Sequence, residues 1–289
     1  MRRGETIQGM GGEVVNTGGE MVEKPVGVFD SGVGGLTVVN QLIRSLPQED
    51  IIYFGDTAHL PYGSKSKEAI MRFSLDIANF LTAQKAKIIV VACNTASSFA
   101  LSSLTENIEI PVIGVIEPGA QAAIDATRNF KIGIIGTEGT IKSRAFEVTL
   151  KKIDKNVKVF SRACPLFVPL VEEGWLDEPE TSQIAEKYLS PLKNEGIDTL
   201  ILGCTHYPLL KELLSRIMGQ EISLIDTAEA TAKAVEKKLG EKNLLRKGSR
   251  KAAYKFFVSD DPEKFLQLGK RFLGKNMEKA ERVNLEKME

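Results

Sequence analysis

Two cysteines follow apolar stretches in the same local pattern. Residues 87–98 read KIIVVACNTASS, so five apolar residues lead directly into Cys93, and polar residues follow. Residues 199–208 read TLILGCTHYP and repeat the pattern around Cys204. Each pattern predicts a buried parallel strand that ends at a thiol and is followed by a helix.

Thiols in these places favour acid–base chemistry. The carboxyl ends of parallel strands are where open α/β sheets bind ligands, and a helix N-terminus favours the thiolate. Two thiols that face one cleft suit proton transfer at a carbon, with one removing a proton and the other delivering one to the opposite face. A single buried cysteine is also common in cores, but the second copy favours the chemical interpretation.

Other cysteine chemistries fit less well. No arginine follows Cys93 within residues 93–100 to hold a phosphate, and no Cys-x-x-Cys motif is present. Zinc bound by Cys93, Cys204, His206 and His59 is an alternative, although only one pair of these is closely spaced. The third cysteine, Cys164, precedes a proline, and we expect it to pack in the core.

Alternating strands and helices predict an α/β fold with mostly parallel sheets. Residues 131–140 repeat the first strand and its glycine turn, which indicates an internal repeat of α/β units. We expect a flexible leader over 1–24, a first domain formed by 25–117 plus 228–289, and a second domain over 118–227. Residues 241–251 are rich in charge, and we expect a mobile link there.

Composition excludes several classes of protein. Lysine plus arginine equals aspartate plus glutamate at 38 each, so nothing in the balance favours nucleic acid or an anionic membrane as a partner. The apolar runs are too short to span a bilayer, and the first residues do not form a secretory signal. Three cysteines without a close pairing indicate a reducing, cytoplasmic location.

Four motifs carry a resemblance to a known family. They are FDSGVGG at 29–35, GDTAHLPYG at 55–63, ACNTA at 92–96 and GCTHYP at 203–208. In order and spacing the chain resembles the glutamate racemases from about residue 25 to residue 258. The resemblance implies a racemase without cofactor or metal that interconverts L- and D-glutamate for peptidoglycan. It also implies a homodimer whose two similar domains are related by pseudo-two-fold symmetry, with the active site in the cleft between them.

The resemblance also assigns roles to residues. Cys93 and Cys204 would be the acid–base pair, acting on the D- and L-enantiomer respectively, with Asp30 and His206 as their helpers. These two helpers would also contact the substrate, together with Ser31, Tyr62, Gly63, Asn94, Thr95 and Thr205. Asp56 and Glu172 are further possible site residues. For Asp56 the alternative is a loop cap, and for Glu172 a solvated helix end.

Two other functions remain open from the sequence. One is an aspartate racemase of the same superfamily, because the pocket reads side-chain length and sequence does not give its shape. The other is a non-catalytic protein whose two lobes close on an amino acid. We expect His59 to be a loop-packing residue and not a catalytic one.

Overall fold

The computed structural model describes residues 17–273 and 277–285. Residues 1–16 of the predicted leader therefore lie outside the described residues. Its last part includes a short helix, Thr17–Val22, and the flexibility of the leader stays a prediction. The carbonyl of Val22 accepts a hydrogen bond of 2.8 Å from Lys87 Nζ, which holds this end of the leader against the body of the protein.

The described chain contains ten strands and twelve α-helices. The strands are β1 (Val26–Asp30), β2 (Ile51–Gly55), β3 (Ile88–Val91), β4 (Val112–Gly114), β5 (Lys131–Gly136), β6 (Lys158–Ala163), β7 (Thr199–Gly203), β8 (Ser223–Asp226), β9 (Tyr254–Val258) and β10 (Glu281–Arg282). The helices are α1 (Thr17–Val22), α2 (Leu36–Ser45), α3 (Lys67–Ala83), α4 (Asn94–Asn107), α5 (Ile116–Ala126), α6 (Glu138–Ser143), α7 (Ala145–Ile153), α8 (Phe167–Glu173), α9 (Pro179–Asn194), α10 (Lys211–Met218), α11 (Thr227–Glu241) and α12 (Pro262–Leu273). Within the described ranges, no helix has the length and apolar character needed to cross a membrane.

The strands form two sheets with the same internal order. One sheet runs β10-β9-β2-β1-β3-β4 and the other β6-β5-β7-β8, and every pairing is parallel. The order β2-β1-β3-β4 in the first sheet is matched by β6-β5-β7-β8 in the second. The predicted α/β fold with two similar parallel sheets is therefore confirmed, and the central strands are buried along their whole length, as their apolar sequences require.

Two packed helices carry the chain between the sheets. Helix α5 leads from the first sheet to the second, and α11 leads back toward β9 and β10. Helix α5 begins at Ile116, directly after β4 and Val115. Pro118 lies in the first turn of this helix, where a missing backbone N–H leaves no hydrogen bond unmade. The exact domain bounds given above stay a prediction.

The charged link between α11 and β9 is held in place. Arg246 is buried, and its guanidinium pairs with Asp50 Oδ1 at 2.8 Å. The carbonyl of Leu244 accepts a hydrogen bond of 2.8 Å from Lys87 Nζ. The prediction of a mobile link over 241–251 was therefore wrong for these residues, because buried partners from the first sheet fix the backbone and the arginine.

Candidate active site

The predicted site residues gather at the carboxyl ends of the central strands. Asp30 is the last residue of β1, Cys93 follows β3 after one residue, and Cys204 directly follows β7. Because β1 and β3 are neighbours in the first sheet, Asp30 and Cys93 lie close together. All three side chains are buried, with exposures of 1%, 6% and 5%.

Cys93 begins helix α4. Its Sγ accepts a hydrogen bond of 3.5 Å from the Ala96 N–H, and the thiol donates one of 3.7 Å to Ser31 Oγ. Burial and then the nearby Asp30 carboxylate raise the pKa of Cys93 to about 12, against the smaller opposing effect of these two hydrogen bonds. The helix start does contact the sulfur as predicted, but it does not make the thiolate the resting form.

Cys204 has a different local structure. The chain after it forms a 3₁₀ turn over Tyr207–Leu210, and α10 begins only at Lys211. The expectation of a helix N-terminus directly after this thiol was therefore wrong. The positive charge near Cys204 comes instead from His206, whose Nδ1 lies 4.0 Å from the sulfur.

His206 is held between a thiol and a carboxylate. Its Nε2 lies 3.0 Å from Glu172 Oε1, on α8. Burial lowers the pKa of His206, but the hydrogen bonds with Cys204 and Glu172 outweigh it and raise the pKa to about 10. The imidazole is therefore protonated at neutral pH and donates from both nitrogens. Glu172, a weak sequence candidate, is a direct partner of this residue.

Asp30 forms hydrogen bonds both within its own motif and with the segment that follows Cys204. Its Oδ2 accepts a hydrogen bond of 2.9 Å from the Gly32 N–H, and its Oδ1 accepts one of 3.5 Å from Thr205 Oγ1. Burial raises the pKa of Asp30, although these hydrogen bonds and the charge of His206 act in the opposite direction. Ser31, Thr205 and His206 therefore lie around this carboxylate.

The residues after Cys93 reach the second half of the molecule. Asn94 is 2% exposed, and neither its Oδ1 nor its Nδ2 has a hydrogen-bond partner among the described residues. Buried amides are normally hydrogen-bonded, so this side chain is available for a ligand. Thr95 Oγ1 lies 2.9 Å from Thr137 Oγ1 and 3.2 Å from Thr140 Oγ1.

Those two threonines were missed as site residues. Thr137 and Thr140 flank the start of α6, and their hydroxyls lie 3.0 Å apart. Gly63 packs against the first of them, since a Cβ at Gly63 would lie 3.0 Å from Thr137 Cβ. The repeated glycine turn at 131–140 was the available signal, because its first-half counterpart carries Asp30 and Ser31.

Tyr62 and Asp56 form one unit on the Cys93 side of the site. The Tyr62 hydroxyl donates a hydrogen bond of 2.6 Å to Asp56 Oδ2, and Ser259 Oγ donates one of 2.7 Å to Asp56 Oδ1. Both side chains are 2% exposed. The structure therefore places Asp56 behind Tyr62, where it holds the phenol and does not contact either sulfur through a hydrogen bond of its own.

His59 belongs to this outer layer. Its Nδ1 lies 2.9 Å from Asp56 Oδ1, and its ring stacks on Phe73 with centroids 3.9 Å apart. These contacts agree with the expected packing role.

In the part of the chain that the structure describes, no group of three or more His, Cys, Asp and Glu residues is arranged to hold a metal ion.

Comparison with known proteins gives the family. A sequence model described as Asp/Glu/hydantoin racemase matches residues 28–235. A glutamate racemase of Geobacter metallireducens is 52% identical over 263 residues, covering 91% of this chain and 97% of that protein.

Solved structures agree with this result. The glutamate racemase of Francisella tularensis in complex with D-glutamate has a TM-score of 0.86 and 41% identity, and covers 92% of this chain and 99% of that one. A glutamate racemase isoform from Bacillus anthracis gives a TM-score of 0.85 and 42% identity, covering 90% and 97%. The chain therefore belongs to the Asp/Glu/hydantoin racemase family, and within it to the glutamate racemases, which are isomerases.

Proposed function

We propose that this protein interconverts L- and D-glutamate by proton transfer at the α-carbon between Cys93 and Cys204. The observation that carries the proposal is the placement of two buried thiols at the carboxyl ends of corresponding strands, β3 and β7, in sheets of the same order. The similarity to glutamate racemases, one of them bound to D-glutamate, supports the substrate.

The reaction needs one thiol and one thiolate at a time. In the L-to-D direction Cys204 takes the α-proton while Cys93 delivers its own proton to the opposite face, and the roles reverse in the other direction. His206 stabilises the Cys204 thiolate as a neighbouring cation. Asp30 lies next to Cys93, and the substrate ammonium would offset the charge of this carboxylate when it binds.

Polar groups at the site match the polar groups of glutamate. We propose that the buried Asn94 amide, which has unpartnered polar atoms, binds a carboxylate together with the Thr95 and Thr205 hydroxyls and backbone N–H groups at the start of α4. Ser31 and the Tyr62–Gly63 segment complete the binding residues that we propose. Binding all three charged groups of the substrate would leave the α-proton between the two sulfurs.

The biological setting is part of the proposal. D-Glutamate is a component of bacterial peptidoglycan, so we propose that the enzyme supplies it for the cell wall. We further propose a cytoplasmic homodimer that uses neither cofactor nor metal. The mixed charge of the chain and its three free cysteines support an intracellular enzyme with a small-molecule substrate.

Incubation of the protein with L-glutamate in D₂O tests the reaction, the substrate and the mechanism together. We expect D-glutamate with deuterium at Cα, while the remaining L-glutamate stays protonated early in the reaction. This pattern requires two bases, because the delivering thiol carries a proton derived from solvent. NMR and chiral chromatography follow both products.

Three outcomes would contradict the proposal or a part of it. Faster turnover of aspartate than glutamate would identify an aspartate racemase. Tight glutamate binding without deuterium at Cα of either enantiomer would identify a binding protein. Early deuterium in the remaining L-glutamate would instead reject the separate roles of the two thiols.

A further inference from the structure

We propose that Arg271 is a positioning residue, which reaches across the cleft, fixes the end of α8 and so holds the Glu172 carboxylate against His206. Its kinetic consequence rests on the proposed racemase function, whereas its effect on His206 does not depend on the substrate.

The contact between Arg271 and the Glu172 carbonyl caps the C-terminal end of α8. This helix ends at Glu173 and is capped by Gly174, which has a φ of +83°. The last carbonyls of a helix lack intrahelical partners and carry partial negative charge. The Gly174 N–H bonds to the Val171 carbonyl, and the Trp175 N–H bonds to the Leu170 carbonyl. The Glu172 carbonyl accepts its hydrogen bond from Arg271 Nη1.

The guanidinium lies directly over this helix end. A Cβ at Gly174 would be 3.1 Å from both Cζ and Nη1 of Arg271. A glycine here serves two needs, since it adopts the left-handed conformation and leaves space for the planar guanidinium. Arg271 is exposed, so this contact is made at the rim of the site and not in the core.

The two partners belong to different sheets. Helix α12 follows β9 of the first sheet and packs on α2, whereas α8 follows β6 of the second sheet and packs on the 3₁₀ turn after Cys204. The next residue of α12, Phe272, packs edge-on against His206, with ring centroids 5.4 Å apart. One turn of α12 therefore contacts His206 and also the helix that carries its carboxylate partner.

The charges around His206 predict the direction in which its pKa would shift if Arg271 were removed. The imidazole faces Cys204 from the loop after β7, Glu172 from α8 and Asp30 from the end of β1, while Arg271 approaches from α12. Loss of a nearby cation by itself would raise the pKa of His206. Loss of a well-placed Glu172 carboxylate would lower it. The two explanations predict opposite shifts.

Histidine titration by NMR distinguishes these explanations. The chain has two histidines, His59 and His206, so a His59→Gln variant assigns both signals. In Arg271→Ala we expect the pKa of His206 to fall by about one unit, the lower end of the effect of a close opposite charge. The matched control is Lys270→Ala, which removes the same charge from the neighbouring exposed position, and it should leave the pKa unchanged. In Arg271→Lys we expect the pKa of His206 to lie between the values in the unchanged protein and in Arg271→Ala.

Kinetics provide the second readout. In Arg271→Ala we expect kcat/KM to fall about tenfold, the rate equivalent of one pKa unit, and equally in both directions, since the enantiomers have equal free energy. An unchanged or raised pKa of His206 in Arg271→Ala would overturn the proposal. A lowered pKa in a protein that does not racemise glutamate would uphold the positioning role and reject the proposed function.

Discussion

The two thiols lie in opposite electrostatic surroundings. Cys93 is next to the Asp30 carboxylate, and its pKa is raised to about 12 by burial and by that charge. Cys204 lies beside His206, which is protonated at neutral pH. This asymmetry favours a thiol at Cys93, which is the state that proton delivery to the substrate requires in the L-to-D direction of the proposed mechanism.

Replacing either thiol tests this division of roles. We expect Cys93→Ala and Cys204→Ala each to lower kcat by about 10²–10⁴-fold, the usual contribution of a general acid or base. Cys164→Ala is the control, since that thiol is fully buried and donates a hydrogen bond to the Arg162 carbonyl, away from the proposed acid–base pair. Chiral chromatography measures the rates, and full activity in either of the first two variants would exclude the two-thiol mechanism.

His206 also links stability to pH. Its pKa is about 10 in the folded protein, above its ordinary value of 6.5, so the folded state binds the proton more tightly. The resulting stabilisation is complete below pH 6.5 and is lost as pH rises toward 10. We expect the Tm to fall across this window, and to fall less in His206→Gln. Thermal unfolding followed by circular dichroism measures both curves, and parallel curves would contradict the assignment.

At the scale of elements, glycines allow the two halves to approach. A Cβ at Gly34, just before α2, would lie 2.3 Å from Thr205 Oγ1, and one at Gly139, in α6, would lie 3.0 Å from Thr95 Cγ2. Each glycine follows the strand that comes first along the chain in its own half, β1 or β5, and lies against a threonine that follows the cysteine of the other half. The internal repeat therefore places two equivalent close contacts around the cleft.

A side chain at Gly34 should disturb the site. We expect Gly34→Ala to lower the free energy of unfolding by about 1–3 kcal/mol through overpacking, because Thr205 and His206 are buried and must move. A displacement of about 1 Å at His206 would lower kcat/KM by about a hundredfold.

Gly240→Ala is the matched control. A Cβ there meets only Leu245 Cδ1 at 3.6 Å, an ordinary contact near the end of α11. We expect this variant to gain about 0.5–1 kcal/mol of stability and to keep its kinetics. Urea unfolding and steady-state rates compare the two. Equal behaviour of the two variants would show that the approach of Gly34 to Thr205 does not position His206.

At the scale of the whole molecule, the candidate active site and a buried ion pair lie at opposite ends of the first sheet. The site lies at the carboxyl ends of β1 and β3. At the other end Lys87 Nζ, which is fully buried, lies 2.5 Å from Glu49 Oε2 and binds the carbonyls of Val22 and Leu244. Burial lowers the pKa of Lys87, against the effect of the Glu49 carboxylate. One ammonium thus joins segments that are far apart in the chain.

Lys87→Met should therefore affect stability and not catalysis. We expect a loss of about 3–5 kcal/mol in the free energy of unfolding, because the buried Glu49 carboxylate would lose its ammonium partner. The double variant Lys87→Met, Glu49→Gln should recover part of this loss. Urea unfolding measures stability, and a lowered kcat/KM in the folded single variant would show coupling between the two ends of the sheet.

Much of the fold was predictable because its signals are local. Apolar runs that lead into Cys93 and Cys204 predicted both strand ends to within two residues. The repeated glycine turn predicted the second sheet. The 241–251 link was not predictable, since its charge is typical of a solvated loop, and Arg246 is buried only because Asp50 and Glu23 lie opposite it.

The sequence by itself determined the strands, the repeat, the positions of the two thiols and the family resemblance. Only the tertiary structure decided that Asp30 contacts Thr205, that Glu172 binds His206 and that Thr137 meets Thr95. It also set the pKa of Cys93, where burial and Asp30 outweigh the helix start. The physical reason is that burial and charge–charge interactions depend on groups distant in the chain, whereas strand and helix patterns depend on neighbours.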